Sequence, residues 1–117
     1  MPVQILNKTK DSVVATHAGV ADTFSSRMRG LLPRESLNPD EALLITHCQS
    51  IHMFFMKFPI DVIFVDRDDK VVGLVADIRP FCLSPIFWGA SYAIELNVET
   101  IAKSKTAVGD VQFNAAF

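Results

Sequence analysis

The run Ile60-Asp61-Val62-Ile63-Phe64-Val65 constrains the fold more than any other stretch of this chain. Side chains alternate along a strand, so Ile60, Val62 and Phe64 would face one side and Asp61, Ile63 and Val65 the other. Both sides are largely apolar, which requires a strand covered on both faces. The run ends in Asp66-Arg67-Asp68-Asp69-Lys70, a dense turn signal. Val71 to Ile78 then reads as the returning strand.

Further short apolar runs punctuate the chain. Val3 to Leu6 and Val13 to Thr16, joined by the polar turn Asn7 to Ser12, read as a hairpin. Ala42 to Thr46 and Ile51 to Lys57 read as strands, as does Asp110 to Phe113. Tyr92 to Val98 alternates Tyr92, Ile94, Leu96 and Val98 against Ala93, Glu95 and Asn97. One clear helix is expected near Thr23 to Leu31, because Phe24, Met28, Leu31 and Leu32 share a helical face. Asp22 or Thr23 can cap it, and Pro33 stops it. A short helical turn fits Glu99 to Lys103. The expectation is a mainly β fold: a compact single-domain β-sandwich or small barrel of about eight short strands with one packed α-helix, over residues 1–117.

A chain of 117 residues has room for one domain. At that length roughly two-thirds of the unfolded surface is buried, enough to fold without metal or disulfide staples. Half of the residues are apolar and 21% are charged, which excludes intrinsic disorder. The net charge of -2 argues against a domain that grips nucleic acid by its phosphates. Cys48 and Cys82 are too few for a disulfide scaffold or a four-cysteine zinc site and read as reduced core thiols. No run approaches the ~20 apolar residues of a membrane span. Residues 1–10 lack the apolar core of a secretory signal. A soluble cytoplasmic protein is expected, although an exported one with its leader removed would look the same.

Several residues invite a chemical reading. Arg27 and Arg34 could face an anion, or serve a solvated face and an ion pair. His47, Cys48 and His52 raise the question of a metal. On a strand, however, Cys48 and His52 would be about 13 Å apart, too far for one ion. No metal and no cofactor is expected, and a hydrogen-bonded His52 is the plainer reading. The aspartates of the 66–70 turn lack the glycine and terminal glutamate of a calcium loop. Asp61 and Glu95 are acids inside apolar strands. Each needs a partner or exposure, since an unpaired buried carboxylate is costly. If close together, they would suit general acid–base chemistry. For Glu95 the expected partner is Arg27, Arg29 or Arg34. The candidate binding site is therefore His52, Lys57, Asp61 and Glu95, with Arg27 and Arg34.

The stretch Phe81 to Ala90 is unusual. Pro80, Pro85 and Gly89 mark it as a loop, yet it carries Phe81, Leu83, Ile86, Phe87 and the only tryptophan, Trp88. Loops are normally polar and superficial. This one is expected to fold over the core or to present an interaction surface of Phe81, Ile86, Phe87 and Trp88. At least two of those four are expected to dock on the sheet.

Taken together, the residues resemble the bacterial and archaeal domain-of-unknown-function family 192, from about Ala21 to Phe113. The resemblance rests on Arg27, Gly30-Leu31-Leu32 and Arg34, on Cys48, Ile51 and His52, which look like a subgroup's version of their stretch, and on Met56-Lys57-Phe58-Pro59-Ile60-Asp61-Val62-Ile63-Phe64. Ile94-Glu95-Leu96 and Gly109-Asp110 complete it. The chain departs from the family pattern after Leu96, and its Phe87-Trp88 segment is more apolar than usual. The resemblance implies a compact β-rich fold and no assigned activity. The leading functional expectation is an uncharacterised binding or accessory module without enzymatic activity. The alternatives are an enzyme of hydrolytic or transfer type using a His/Asp/Glu site, or a protein-interaction module using the apolar loop 81–90. A small-molecule or protein partner is expected, and no nucleic acid.

Overall fold

The computed structural model describes residues 3–21, 36–38, 40–54 and 56–116. The β-branched runs form the strands β1 (Val3–Asn7), β2 (Ser12–Ala21), β3 (Glu41–Thr46), β4 (Ile60–Val65), β5 (Val71–Ile78), β6 (Tyr92–Leu96) and β7 (Gln112–Ala116). One short helix, α1 (Thr100–Ser104), precedes β7. Strand residues outnumber helical ones among the described residues, as expected. The helix read at Thr23 to Leu31, with Arg27, Arg29 and Arg34, lies outside them.

All seven strands belong to one sheet, in the order β5-β4-β6-β3-β2-β1-β7. Neighbours are antiparallel except β2 and β3, which run parallel. The two ends of this order are tied together. Val71, the first residue of β5, donates its N–H to Asp110 O at 2.8 Å and accepts from Gly109 N–H at 2.8 Å. Gln112, the first of β7, donates to Asp69 O at 2.7 Å. The sheet is thus a curled half-barrel, closed at one corner.

Curling gives the sheet two differently packed faces. Inside, Ile5, Val14, Leu44, Ile63, Val65 and Ile94 form one core, with Ile101 of α1 packed against it. Outside, Ile60, Val62 and Phe64 of β4 meet Ile51, Met53 and Met56 from the segment before the strand. Every residue of β4 is buried, as its two apolar faces require.

The segment Ile51 to Lys57 departs from the strand expected of it. It makes a single bridge, His52 to Leu83. Met53 N–H reaches Cys82 O at 2.9 Å, and Ser84 N–H reaches Ile51 O at 3.0 Å. Pairing stops there because its partner is flanked by Pro80 and Pro85, and proline has no N–H to extend a ladder. The result is a narrow two-chain ribbon lying over the outer face. Among the described residues, no helix is long and apolar enough to cross a membrane.

Candidate functional site

The acids expected to work together are separated by the sheet itself. In the register between β4 and β6, Asp61 faces Leu96 and Val62 faces Glu95. Asp61 therefore shares the inner face with Leu96, and Glu95 shares the outer face with Val62. Glu95 is fully buried, as expected, while the arginines expected to hold it lie outside the described residues. Lys57 is exposed to solvent. The grouping of His52, Lys57, Asp61 and Glu95 around one surface does not form, because a strand sends neighbouring side chains to opposite faces.

Asp61 has a structural occupation. Opposite it, β5 carries an extra residue, since Ile60 pairs with Ile78 and Val62 with Val75. Asp61 Oδ1 accepts the N–H of Asp77 at this bulge at 2.9 Å. Asp77 has a φ of 53°, a left-handed conformation that aspartate tolerates better than most residues. Oδ2 accepts the N–H of Ile101 in the first turn of α1 at 2.9 Å. Glu99, at the N-cap of α1, makes no side-chain cap, so the carboxylate of a distant strand does that work.

Asp110 anchors the closed corner in the same manner. Its carboxylate accepts from Asn7 Nδ2 at 2.9 Å and from Ala107 N–H at 2.9 Å. Lys10 Nζ adds an ion pair at 3.0 Å. Burial by itself would raise the pKa of Asp110. The Asn7 amide, the Ala107 N–H and Lys10 together outweigh it and hold the carboxyl below its ordinary value.

An open cleft has a volume of about 970 Å³. It lies where β3 and β4 end and β6 begins. Thr46, His47 and His52 line one side, and Ile86, Trp88 and Ser91 the other. Arg67 enters from the turn after β4. The two walls are held at a fixed separation by the backbone. Phe87 N–H donates to Gln49 O at 2.8 Å, and Gln49 Nε2 donates to Trp88 O. Below them, Ser91 N–H donates to Val65 O at 2.7 Å. His47 sits at a φ of 53°, which turns the chain out of β3 and into the wall.

The apolar loop docks less of itself than its composition suggests. Phe87 alone of the four side chains packs inward, its ring 4.6 Å from that of Phe64. Phe81 is 64% exposed, Ile86 51% and Trp88 76%. The expectation of at least two docked side chains is therefore corrected to one. The ribbon lies at the surface, so Phe81, Cys82 and Leu83 are all exposed, and so is Ile86. The hole that accepts Phe87 exists because Gly73 has no side chain. The cysteines are both free: Cys48 is half-buried and packs against the outer core, while Cys82 is exposed, so the core-thiol reading is corrected for Cys82. Among the described residues no three His, Cys, Asp or Glu side chains converge as a metal site would need.

The cleft thus combines His52 from one expected site with Ile86 and Trp88 from the other. His47 had been noted only in connection with a metal, and Arg67 read only as part of a turn. No sequence signal joins these segments, because their proximity depends on the ribbon formed by residues 49–53 and 81–87.

A family model described as uncharacterized ACR, DUF192, matches residues 5–112. The chain belongs to the DUF192 family. A UPF0127 protein of Thermococcus sibiricus is 39% identical over 113 residues, spanning 91% of this chain and 71% of that protein. A UPF0127 protein of Pyrococcus abyssi is 34% identical over 112 residues, spanning 91% of this chain and 92% of its own length. These relatives are archaeal. A crystal structure of a protein of unknown function from Novosphingobium aromaticivorans has the same fold. Its TM-score is 0.80 at 22% identity, covering 97% of this chain and 84% of that one. The DUF192 signature from Met56 to Phe64 now has a physical reading. Met56, Phe58 and Ile60 fill the outer core, and Asp61 ties β5 to α1. In Gly109-Asp110, the glycine takes a φ of 97° and the aspartate locks the corner. Residues Met56 to Phe64 and Gly109-Asp110 hold the fold together, whereas Cys48, Ile51 and His52, which carry part of the same resemblance, line the cleft.

Proposed function

We propose that this chain is a small binding module without enzymatic activity, and that its site is the cleft between residues 46–52 and 86–91. The observation that carries the reading is the cleft's make-up. Its volume is that of a small-molecule site, and such sites combine apolar walls with a few polar groups that fix orientation. Here Ile86 and Trp88 supply apolar surface that is otherwise left in water. His47 and Arg67 supply polar groups that make no side-chain hydrogen bond or ion pair among the described residues. The acid–base alternative has less support, since Asp61 and Glu95 occupy opposite faces of the sheet.

The test is a screen of small fragments, anionic, neutral and cationic, read by proton–nitrogen correlation spectra of the labelled protein. Binders should shift the signals of residues 45–52, Arg67 and 86–91 together. Replacing Trp88 with alanine should weaken them. A screen with no cleft binder, or with binders only on the Phe81–Leu83 side, would refute the reading.

A further inference from the structure

We infer that the cleft takes a small organic anion with a flat apolar body, its charged head on Arg67 and its body against Trp88. This deepens the binding-module reading and rests on it.

The charge of the lining points this way. Arg67 is exposed at the cleft and makes no hydrogen bond or ion pair among the described residues. Three acids neighbour it in sequence, yet none lines the cleft. Asp66 Oδ1 is occupied by the N–H groups of Asp68 and Lys70, at 2.9 and 3.0 Å. Asp69 Oδ1 accepts the Tyr92 hydroxyl at 2.8 Å. Asp68 is exposed and lies outside the lining. No aspartate or glutamate occurs among the lining residues, and the other ionisable nitrogens there are imidazoles, His47 and His52. A guanidinium facing an acid-free cleft lacks its usual partner. Its planar fork matches a carboxylate or a phosphate through two parallel hydrogen bonds.

The body of the ligand follows from the opposite wall. Among the described residues Trp88 is the most exposed large apolar side chain, and Ile86 also lines the cleft. An indole face stacks on flat apolar surface at low entropic cost. The backbone under Trp88 is fixed by the bond from Gln49 and by the turn in which Ala90 N–H reaches Phe87 O at 2.9 Å. The tryptophan is therefore held at the cleft by structure that needs no ligand. Ser50 and Ser91 add hydroxyls for polar substituents.

The probes are 2-naphthoate, its uncharged amide 2-naphthamide, and the cation 1-naphthylmethylamine, with phenyl phosphate to separate a phosphate head from a carboxylate. The single tryptophan gives a single indole N–H signal, which reports the site directly. 2-Naphthoate or phenyl phosphate should shift this signal and bind about tenfold more tightly than 2-naphthamide. Arg67→Gln should remove that advantage, so that anion and amide bind the variant alike. Arg67 makes no bond within the described fold, so the variant's thermal unfolding should match that of the parent. Equal binding of anion and amide, or preference for the amine, would overturn the inference and leave the cleft reading standing. If no probe moves the indole signal while other fragments bind the cleft, the inference falls alone. An empty fragment screen removes both.

Discussion

Phe87 seats its ring on Gly73 so closely that a Cβ at position 73 would lie 2.3 Å from the ring carbons. The same ring leans on Phe64, next to the end of the strand that is covered on both faces. Gly73→Ala is expected to destabilise the fold by about 1–3 kcal/mol, the usual cost of forcing atoms into a filled space. Phe87→Ala should cost up to about 3 kcal/mol, the low end for such a truncation because the ring is half-buried. The double variant should cost less than the two singles combined, since removing the ring makes room for the methyl. Urea unfolding of all four proteins measures this. Strict additivity would mean that the two residues do not meet.

Asp61→Ala should destabilise without touching ligand binding. It orphans the N–H groups of Asp77 and Ile101, at roughly 1–3 kcal/mol each when no water replaces the acceptor. Asp61→Asn keeps one acceptor oxygen and should fall between the alanine variant and the parent. Stability comes from urea unfolding, and cleft binding from the same fragment spectra. Loss of cleft binding by a folded Asp61→Asn protein would return Asp61 to the site.

Acid should loosen the closed corner of the sheet. The pKa of Asp110 is lower in the folded chain than its ordinary value of 3.8. A depressed folded pKa stabilises the native state above the unfolded value, and that contribution is lost as pH falls through the unfolded and then the lower folded value. Asp110→Asn should therefore be less stable than the parent near neutrality, and the gap should narrow progressively below pH ~4. Stability measured across pH on both proteins gives the answer. A gap that is constant with pH would show that the carboxylate's charge has no part in the anchoring.

Trp88 should emit as a solvated indole. At 76% exposure its fluorescence should be red-shifted and readily quenched by iodide, and a ligand in the cleft should shift it to the blue. Blue-shifted emission from the unliganded protein at every concentration would contradict the exposed placement.

Periodicity was a good guide wherever the backbone pairs with a regular neighbour. The two-sided burial of Ile60 to Val65, the return of Val71 to Ile78 and the alternation of Tyr92 to Leu96 were all visible in the chain. It failed at Ile51 to Lys57, whose apolar residues serve an irregular ribbon instead of a ladder. The site was less legible for a related reason. Asp61 and Glu95 drew attention as acids in apolar surroundings, and that pattern marked burial correctly. It carried no information about which face each would occupy, since face depends on register with β6. Arg67 was hidden by the strength of the turn signal around it. Its meaning comes from carboxylates that are committed elsewhere, which only the coordinates reveal.

The pairing of β1 with β7 sets Val3 beside Ala116 and Asn7 beside Gln112. During synthesis, β1 must therefore wait for the distant β7 before one of its edges is covered. Until then that edge of β1 offers unpaired N–H and C=O groups to any extended chain nearby. Contacts between such remote positions form slowly, because a long loop must close before any bond rewards it. A nascent chain paused before residue 110 lacks both β7 and the Asp110 clasp. Such a chain is a natural client for a chaperone that recognises strand edges.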